Sequence, residues 1–114
     1  MLPATMRRTA TRPRIAYDVH GDSGSNVLLI MGLGMRGEVW GPQVTALREA
    51  HRVATFDHRG LGGSEDSDKP LWTMKDMARD AARVMDALGW DRAHLVGASM
   101  GGMVAQELAL LPPT

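Results

Sequence analysis

The chain has 114 residues, enough for one domain with a buried core but short for an α/β enzyme. Thirteen basic residues balance thirteen acidic ones, so global charge favours neither nucleic acid nor a membrane surface. Cysteine is absent, which excludes disulfides and thiolate metal sites and fits a reducing cytoplasm, and no apolar run approaches the roughly 18 residues of a membrane span.

The charge balance hides an asymmetry. Residues 1–14 hold Arg7, Arg8, Arg12 and Arg14 and no acid, which leaves the remainder at a formal −4. This stretch is expected to be a flexible basic tail, with an organelle transit segment as the alternative. It has no apolar h-region, so it is not a secretory signal. Residues 15–114 are expected to belong to a single domain.

Arg14-Ile15-Ala16-Tyr17-Asp18-Val19-His20 alternates apolar and polar residues, as an edge strand does. Residues 21–26 form a turn cluster. Val27-Leu28-Leu29-Ile30-Met31 is continuously apolar, the pattern of a strand buried on both faces of a parallel sheet. It runs into the Gly32-Leu33-Gly34 loop. A helix is expected over residues 39–49, with Trp40, Val44 and Leu47 on one face and Pro42 in its first turn. The next strand, Arg52-Val53-Ala54-Thr55-Phe56, enters a second glycine-rich loop, Asp57-His58-Arg59-Gly60-Leu61-Gly62-Gly63-Ser64.

Residues 65–70 are polar and expected to be exposed. Thr73-Met74-Lys75-Asp76 resembles a capping box. The helix that follows should bury Met74, Met77, Ala81, Val84, Met85 and Leu88 before Gly89 ends it. Those methionines suit core packing better than metal ligation. A short strand through Leu95-Val96 then reaches Gly97-Ala98-Ser99-Met100-Gly101-Gly102. From there Met100, Met103, Val104, Leu108 and Leu111 recur at helical spacing. Strand and helix alternate three times, which implies a mostly parallel α/β sheet with right-handed crossovers. The three glycine-rich loops then share one edge of the sheet, where open α/β sheets place their sites.

The last of these loops has a chemical rationale. A strand that turns sharply into a helix holds its corner residue, Ser99, in a strained conformation with the hydroxyl thrust into a cleft. Gly97 and Gly101 pass each other closely without a Cβ, and Ala98 and Gly102 keep the surroundings small. Free N–H groups at the helix start are placed to receive an oxyanion. G-x-S-x-G arises by chance in about 4 % of chains this long, so the assignment leans on the strand before it and the helix after it.

Together the three loops resemble the N-terminal half of an α/β-hydrolase-fold serine hydrolase, from about Ile15 onward. Met31-Gly32-Leu33-Gly34 stands where many members have His-Gly. Residues 57–64 match Asp-x-Arg-Gly-x-Gly-x-Ser, and Gly97-Ala98-Ser99-Met100-Gly101 matches the nucleophile elbow. Small esterases and lactonases are the most similar members, such as 3-oxoadipate enol-lactonases and the aclacinomycin methylesterase type. The resemblance implies Ser99 as nucleophile toward an ester or lactone carbonyl, with the backbone N–H groups of Leu33 and Met100 as the oxyanion hole. It implies support from Gly32, Gly97, Gly101, Asp57 and Arg59. Trp40 and Trp72 suit packing better than an acyl pocket. No cofactor or metal is expected.

A serine hydroxyl is a poor nucleophile without a base, and in this fold the acid and histidine follow the serine along the chain. Beyond Ser99 the only acid is Glu107, and no histidine follows. Upstream, His94 lies about 16 Å from Ser99 at strand spacing. His51 precedes its strand and His20 sits near a strand end. Only His58 shares the loop edge, and a hydrogen-bonding role in its loop suits it better than that of a surrogate base. The expectation is an N-terminal portion that needs a C-terminal hydrolase portion, on the same or a separate chain, to supply acid and base. A cofactor-free haloperoxidase, a carbon–carbon bond hydrolase and a non-catalytic binding fragment remain alternatives.

Overall fold

In the computed structural model, which describes residues 6–67 and 71–111, two antiparallel strands come first, β1 (Arg7–Arg8) and β2 (Ala16–His20). β3 (Ser25–Ile30) follows, then a 3-10 turn (Gly37–Trp40) running into α1 (Gly41–Leu47). β4 (His51–Phe56), α2 (Met74–Leu88), β5 (His94–Gly97) and α3 (Met100–Leu110) complete the order. The sheet order is β1-β2-β4-β3-β5. β3 is parallel to both β4 and β5, whereas β2 runs antiparallel to β4. The expected parallel α/β core is therefore present, with an antiparallel margin.

Alternation along the strands sorts the core into two layers, because successive side chains leave a strand on opposite faces. On one face Leu28, Ile30, Ala54 and Phe56 pack under Met77, Ala78, Ala81 and Val84 of α2 and Val104 of α3. On the other, Val27, Leu29, Met31 and Val53 meet Trp40 and Val44. Both faces of β3 are covered, which is why its sequence is apolar throughout. Each large side chain fully buried here contributes about 1.5–3 kcal/mol.

α2 is bounded as its sequence suggests. The Thr73 side chain accepts from the Asp76 N–H at 3.1 Å, and Asp76 accepts from the Thr73 N–H at 3.0 Å, a reciprocal capping box. Gly89 ends the helix with φ 70°.

Three expectations need correction. Residues 6–14 are not a tail: β1 pairs with β2, Thr9 is buried, and Arg14 bonds Glu65 through its N–H. The basic side chains flank an added edge strand, and residues 1–5 lie outside the described residues. β3 begins at Ser25 inside the expected turn, because Ser25 and Asn26 find partners at His51 and Arg52 of β4. The helix expected over 39–49 is a 3-10 turn followed by a shorter α1, with Pro42 in its first turn. In the polar stretch 65–70, Glu65 and Ser67 are half-buried and Asp66 is exposed, while 68–70 lie outside the described residues.

Candidate active site

Ser99 stands at the corner between β5 and α3 with φ 55° and ψ −122°. Among the described residues it is the only non-glycine with positive φ. Such a conformation costs about 1–3 kcal/mol and persists only where surrounding structure enforces it. The enforcement is steric. A Cβ on Gly97 would lie 2.3 Å from the Gly101 carbonyl oxygen, and one on Gly101 would lie 2.1 Å from the Ile30 carbonyl oxygen. The strand, the helix start and β3 therefore touch through backbone alone. Gly102 differs: its nearest obstacle to a Cβ is 3.8 Å away, so space does not require glycine there.

The corner is stitched by backbone hydrogen bonds. Ala98 N–H donates to Ile30 O at 3.0 Å, Gly101 N–H to Ala98 O at 2.8 Å, and Gly102 N–H to Ser99 O at 2.9 Å. Ser99 occupies the N-cap of α3 but does not cap it with its side chain. The residue is exposed, and its hydroxyl bonds no described group. Met100 opens α3, where an N–H has no carbonyl one turn earlier within the helix.

The loop after β3 lies against this corner. A Cβ on Gly32 would sit 3.3 Å from Ala98 O, 3.4 Å from the Ser99 Cβ and 3.8 Å from the Met100 N. The peptide that carries the Leu33 N–H therefore follows a residue that faces Ser99 across about the space of one Cβ. The Leu33 side chain points to solvent, 72 % exposed. The sequence thus brings Ser99, Met100, Gly32 and the start of the Leu33 loop together.

Asp57 and Arg59 hold the second glycine-rich loop, after β4. The Asp57 carboxylate accepts from Gly37 N–H at 2.8 Å and Gly63 N–H at 3.0 Å, and its carbonyl accepts from the Ser64 hydroxyl at 2.5 Å. Gly62, with φ 57°, lets the chain close over it; a Cβ there would lie 2.3 Å from the carboxylate. Arg59 is buried and grips Asp80 of α2 with two bonds of 2.6 and 2.8 Å. Those hydrogen bonds are the main reason its pKa is raised, ahead of the opposing effect of burial. Trp72 lies over the guanidinium at 5.9 Å with its side chain exposed, whereas Trp40 is buried under the sheet. The Asp80 grip was not foreseen. Its signal is an acid on the apolar face of α2, between Met77, Ala81 and Val84.

No histidine bonds Ser99 among the described residues. His58 Nε2 lies 2.6 Å from the Met31 carbonyl oxygen, and its Nδ1 is buried without a partner among the described residues. His20 pairs with Asp18 on β2 at 3.2 Å. His51 and His94 begin their strands, away from the loop edge. Glu107 lies on α3 beyond the corner. A groove of about 600 Å³ at the β2–β4 face is lined by Asp18, His20, Arg36, Arg48 and Thr55 and does not include Ser99. Among the described residues no cluster of three or more acids and histidines suits a metal, and no helix is long and apolar enough to cross a membrane.

A mostly parallel sheet with a strained serine at a strand-to-helix corner defines the α/β hydrolase class of fold. The profile of the alpha/beta hydrolase fold family matches residues 26–114, and the chain belongs to that family. It is 46 % identical over 99 residues to the carbamate hydrolase RutD of Variovorax paradoxus, covering 85 % of this chain and 37 % of the relative. A hydrolase structure from Pseudomonas aeruginosa superposes with a TM-score of 0.86 at 32 % identity, covering 96 % of this chain and 42 % of that one. A thermophilic esterase from Thermogutta terrifontis gives 0.81 at 33 % identity, covering 93 % and 40 %. The chain thus spans well under half the length of the proteins it matches.

Proposed function

We propose that this chain forms the nucleophile-bearing part of a hydrolase that cleaves ester or lactone bonds through an acyl-Ser99 intermediate. The observation that carries the reading is the conformation of Ser99: a residue held at positive φ, exposed, with its hydroxyl bonded to no described group. In the proposed reaction the Ser99 oxygen attacks the carbonyl carbon while a base takes its proton. The oxyanion forms beside the N–H groups of Met100 and Leu33, which stabilise it without reorganising. Collapse expels the alcohol, and water then releases the acid from Ser99. A carbamate carbonyl can follow the same course, and the name of the Variovorax relative supports including that class.

The acid and base come from a C-terminal hydrolase portion. The absence of a histidine bonded to Ser99 among the described residues supports this reading, as does the open flank of β5 at the sheet margin. Removing a triad base costs about 10⁴ to 10⁶ in turnover, so residues 1–114 alone should hydrolyse esters near background. The test is Ser99→Ala in the native assembly, followed with p-nitrophenyl esters and a fluorophosphonate probe. The expected result is loss of both turnover and labelling. Undiminished turnover in the variant would end the proposal, and an unlabelled wild-type assembly would favour a non-catalytic binding role.

A further inference from the structure

We infer that His58 is a positioning residue for the second oxyanion donor: its Nε2–H holds the Met31 carbonyl, and through the Gly32 peptide this sets the direction of the Leu33 N–H beside Ser99. The inference rests on the acyl-Ser99 reading and deepens it.

The Met31 carbonyl only accepts, so the contact at 2.6 Å requires the proton on Nε2. That carbonyl belongs to the Met31–Gly32 peptide. Gly32 follows; a Cβ added there would stand 3.3 Å from the Ala98 carbonyl oxygen, 3.4 Å from the Ser99 Cβ and 3.8 Å from the Met100 N. The next peptide joins Gly32 to Leu33 and carries the proposed donor. Its carbonyl accepts from Met35 N–H at 3.4 Å, a long bond. Between Gly32 and Gly37, whose N–H the Asp57 carboxylate holds at 2.8 Å, residues 33–36 are all exposed. The His58 bond is the short one, and it is buried.

The orphaned nitrogen strengthens the case. His58 is 3 % exposed, and its Nδ1 meets no hydrogen-bond partner among the described residues. Leaving a buried acceptor unmatched costs about 1–3 kcal/mol. Packing alone is a poor reason to keep such a ring there. It rests edge-on against Phe56 at 5.4 Å, a contact that an apolar side chain would supply without the penalty. The arrangement makes sense if the other nitrogen is needed where it is, across 27 positions of sequence from its partner.

The test compares His58→Leu, which has no donor, with His58→Gln, whose amide N–H₂ reaches the place of Nε2. In the native assembly, His58→Leu should slow fluorophosphonate labelling of Ser99 by about 10- to 100-fold, the usual penalty for a misplaced oxyanion donor. Half-saturation by the probe should barely change, and His58→Gln should restore most of the rate. Separately, ¹⁵N relaxation on the native assembly should find the Leu33 amide rigid in wild type and His58→Gln but mobile in His58→Leu, while amides of β3 and β4 stay rigid in all three. Labelling of folded His58→Leu at the wild-type rate, or a Gln variant as slow as the Leu variant, overturns the inference. If Ser99→Ala labels like wild type, or wild type does not label, the acyl-serine reading fails instead. The relaxation data then decide alone, and a rigid Leu33 amide in His58→Leu overturns the positioning role.

Discussion

At the scale of single residues, the corner shows which small side chains the backbone demands. Gly97 and Gly101 are required because carbonyl oxygens occupy the space of their Cβ atoms, and a carbonyl in a sheet cannot step aside. Gly102 sits in the first turn of α3 with room to spare. Gly101→Ala should therefore destabilise by several kcal/mol or prevent folding, whereas Gly102→Ala should be neutral or stabilising by about 0.5–1 kcal/mol, the helix-propensity difference. Urea denaturation of the two variants checks this, and equal losses would mean that the close approach at Gly101 is not there. The motif made Gly97, Ser99 and Gly101 legible, because their spacing encodes a local turn. It did not show that Gly101 also meets β3, since that approach is to the Ile30 carbonyl, some 70 positions earlier in the chain. The His58–Met31 bond escaped for the same reason: periodicity reports which face a residue takes, not which carbonyl waits across the sheet.

At the scale of elements, α2 was legible at both ends because caps are local. Its tether to the loop after β4 was not. Arg59 and Asp80 form a buried, two-bonded pair, to which Arg83 adds a third bond at 2.9 Å on Asp80. Removing one partner strands a buried charge, which costs about 3–5 kcal/mol. Asp80→Ala should lose stability of that order, and the double replacement Arg59→Met with Asp80→Leu should regain most of it, read from urea midpoints. A double variant as unstable as the single would show that shape, rather than the stranded charge, governs the site. The second unforeseen tether joins the chain start to the same loop. The Arg14 N–H donates to Glu65 at 2.9 Å, and Glu65 N–H returns a bond to the Arg14 carbonyl. The bond from Arg14, aided by the charges of Arg12, Arg14 and Arg8, holds the Glu65 carboxyl below its ordinary value of 4.5. A lowered pKa stabilises the fold above the unfolded value, and the gain is lost as pH falls through the folded one. Wild type should therefore exceed Glu65→Gln in urea midpoint at neutral pH and converge with it in acid, once the pH has fallen through the lowered folded value. Parallel curves across that range would dismiss the carboxylate's part.

For the molecule as a whole, strand–helix alternation was enough to read the sheet, because each parallel crossover needs a helix and each helix needs an apolar stripe. What it left out was the antiparallel margin, since β1 is two residues long and charged, with no apolar periodicity to announce it. The two margins of the sheet contrast. β1 ends one side with a short arginine pair, a device that discourages further strand pairing. β5 ends the other side with Val96 42 % exposed on a strand that pairs only with β3, and α3 alongside exposes Met103 at 58 % and Leu110 at 78 %. An open edge next to apolar side chains recruits other chains. Residues 1–114 alone should therefore self-associate with rising concentration in sedimentation experiments. Val96→Lys combined with Met103→Lys should hold the chain monomeric without lowering its urea midpoint, because neither side chain is buried in the core. The same two lysines should impair assembly with a C-terminal hydrolase portion, since that portion is proposed to cover this flank. A wild-type chain that stays monomeric at every concentration, or a double variant that associates as before, would place the adhesive surface elsewhere.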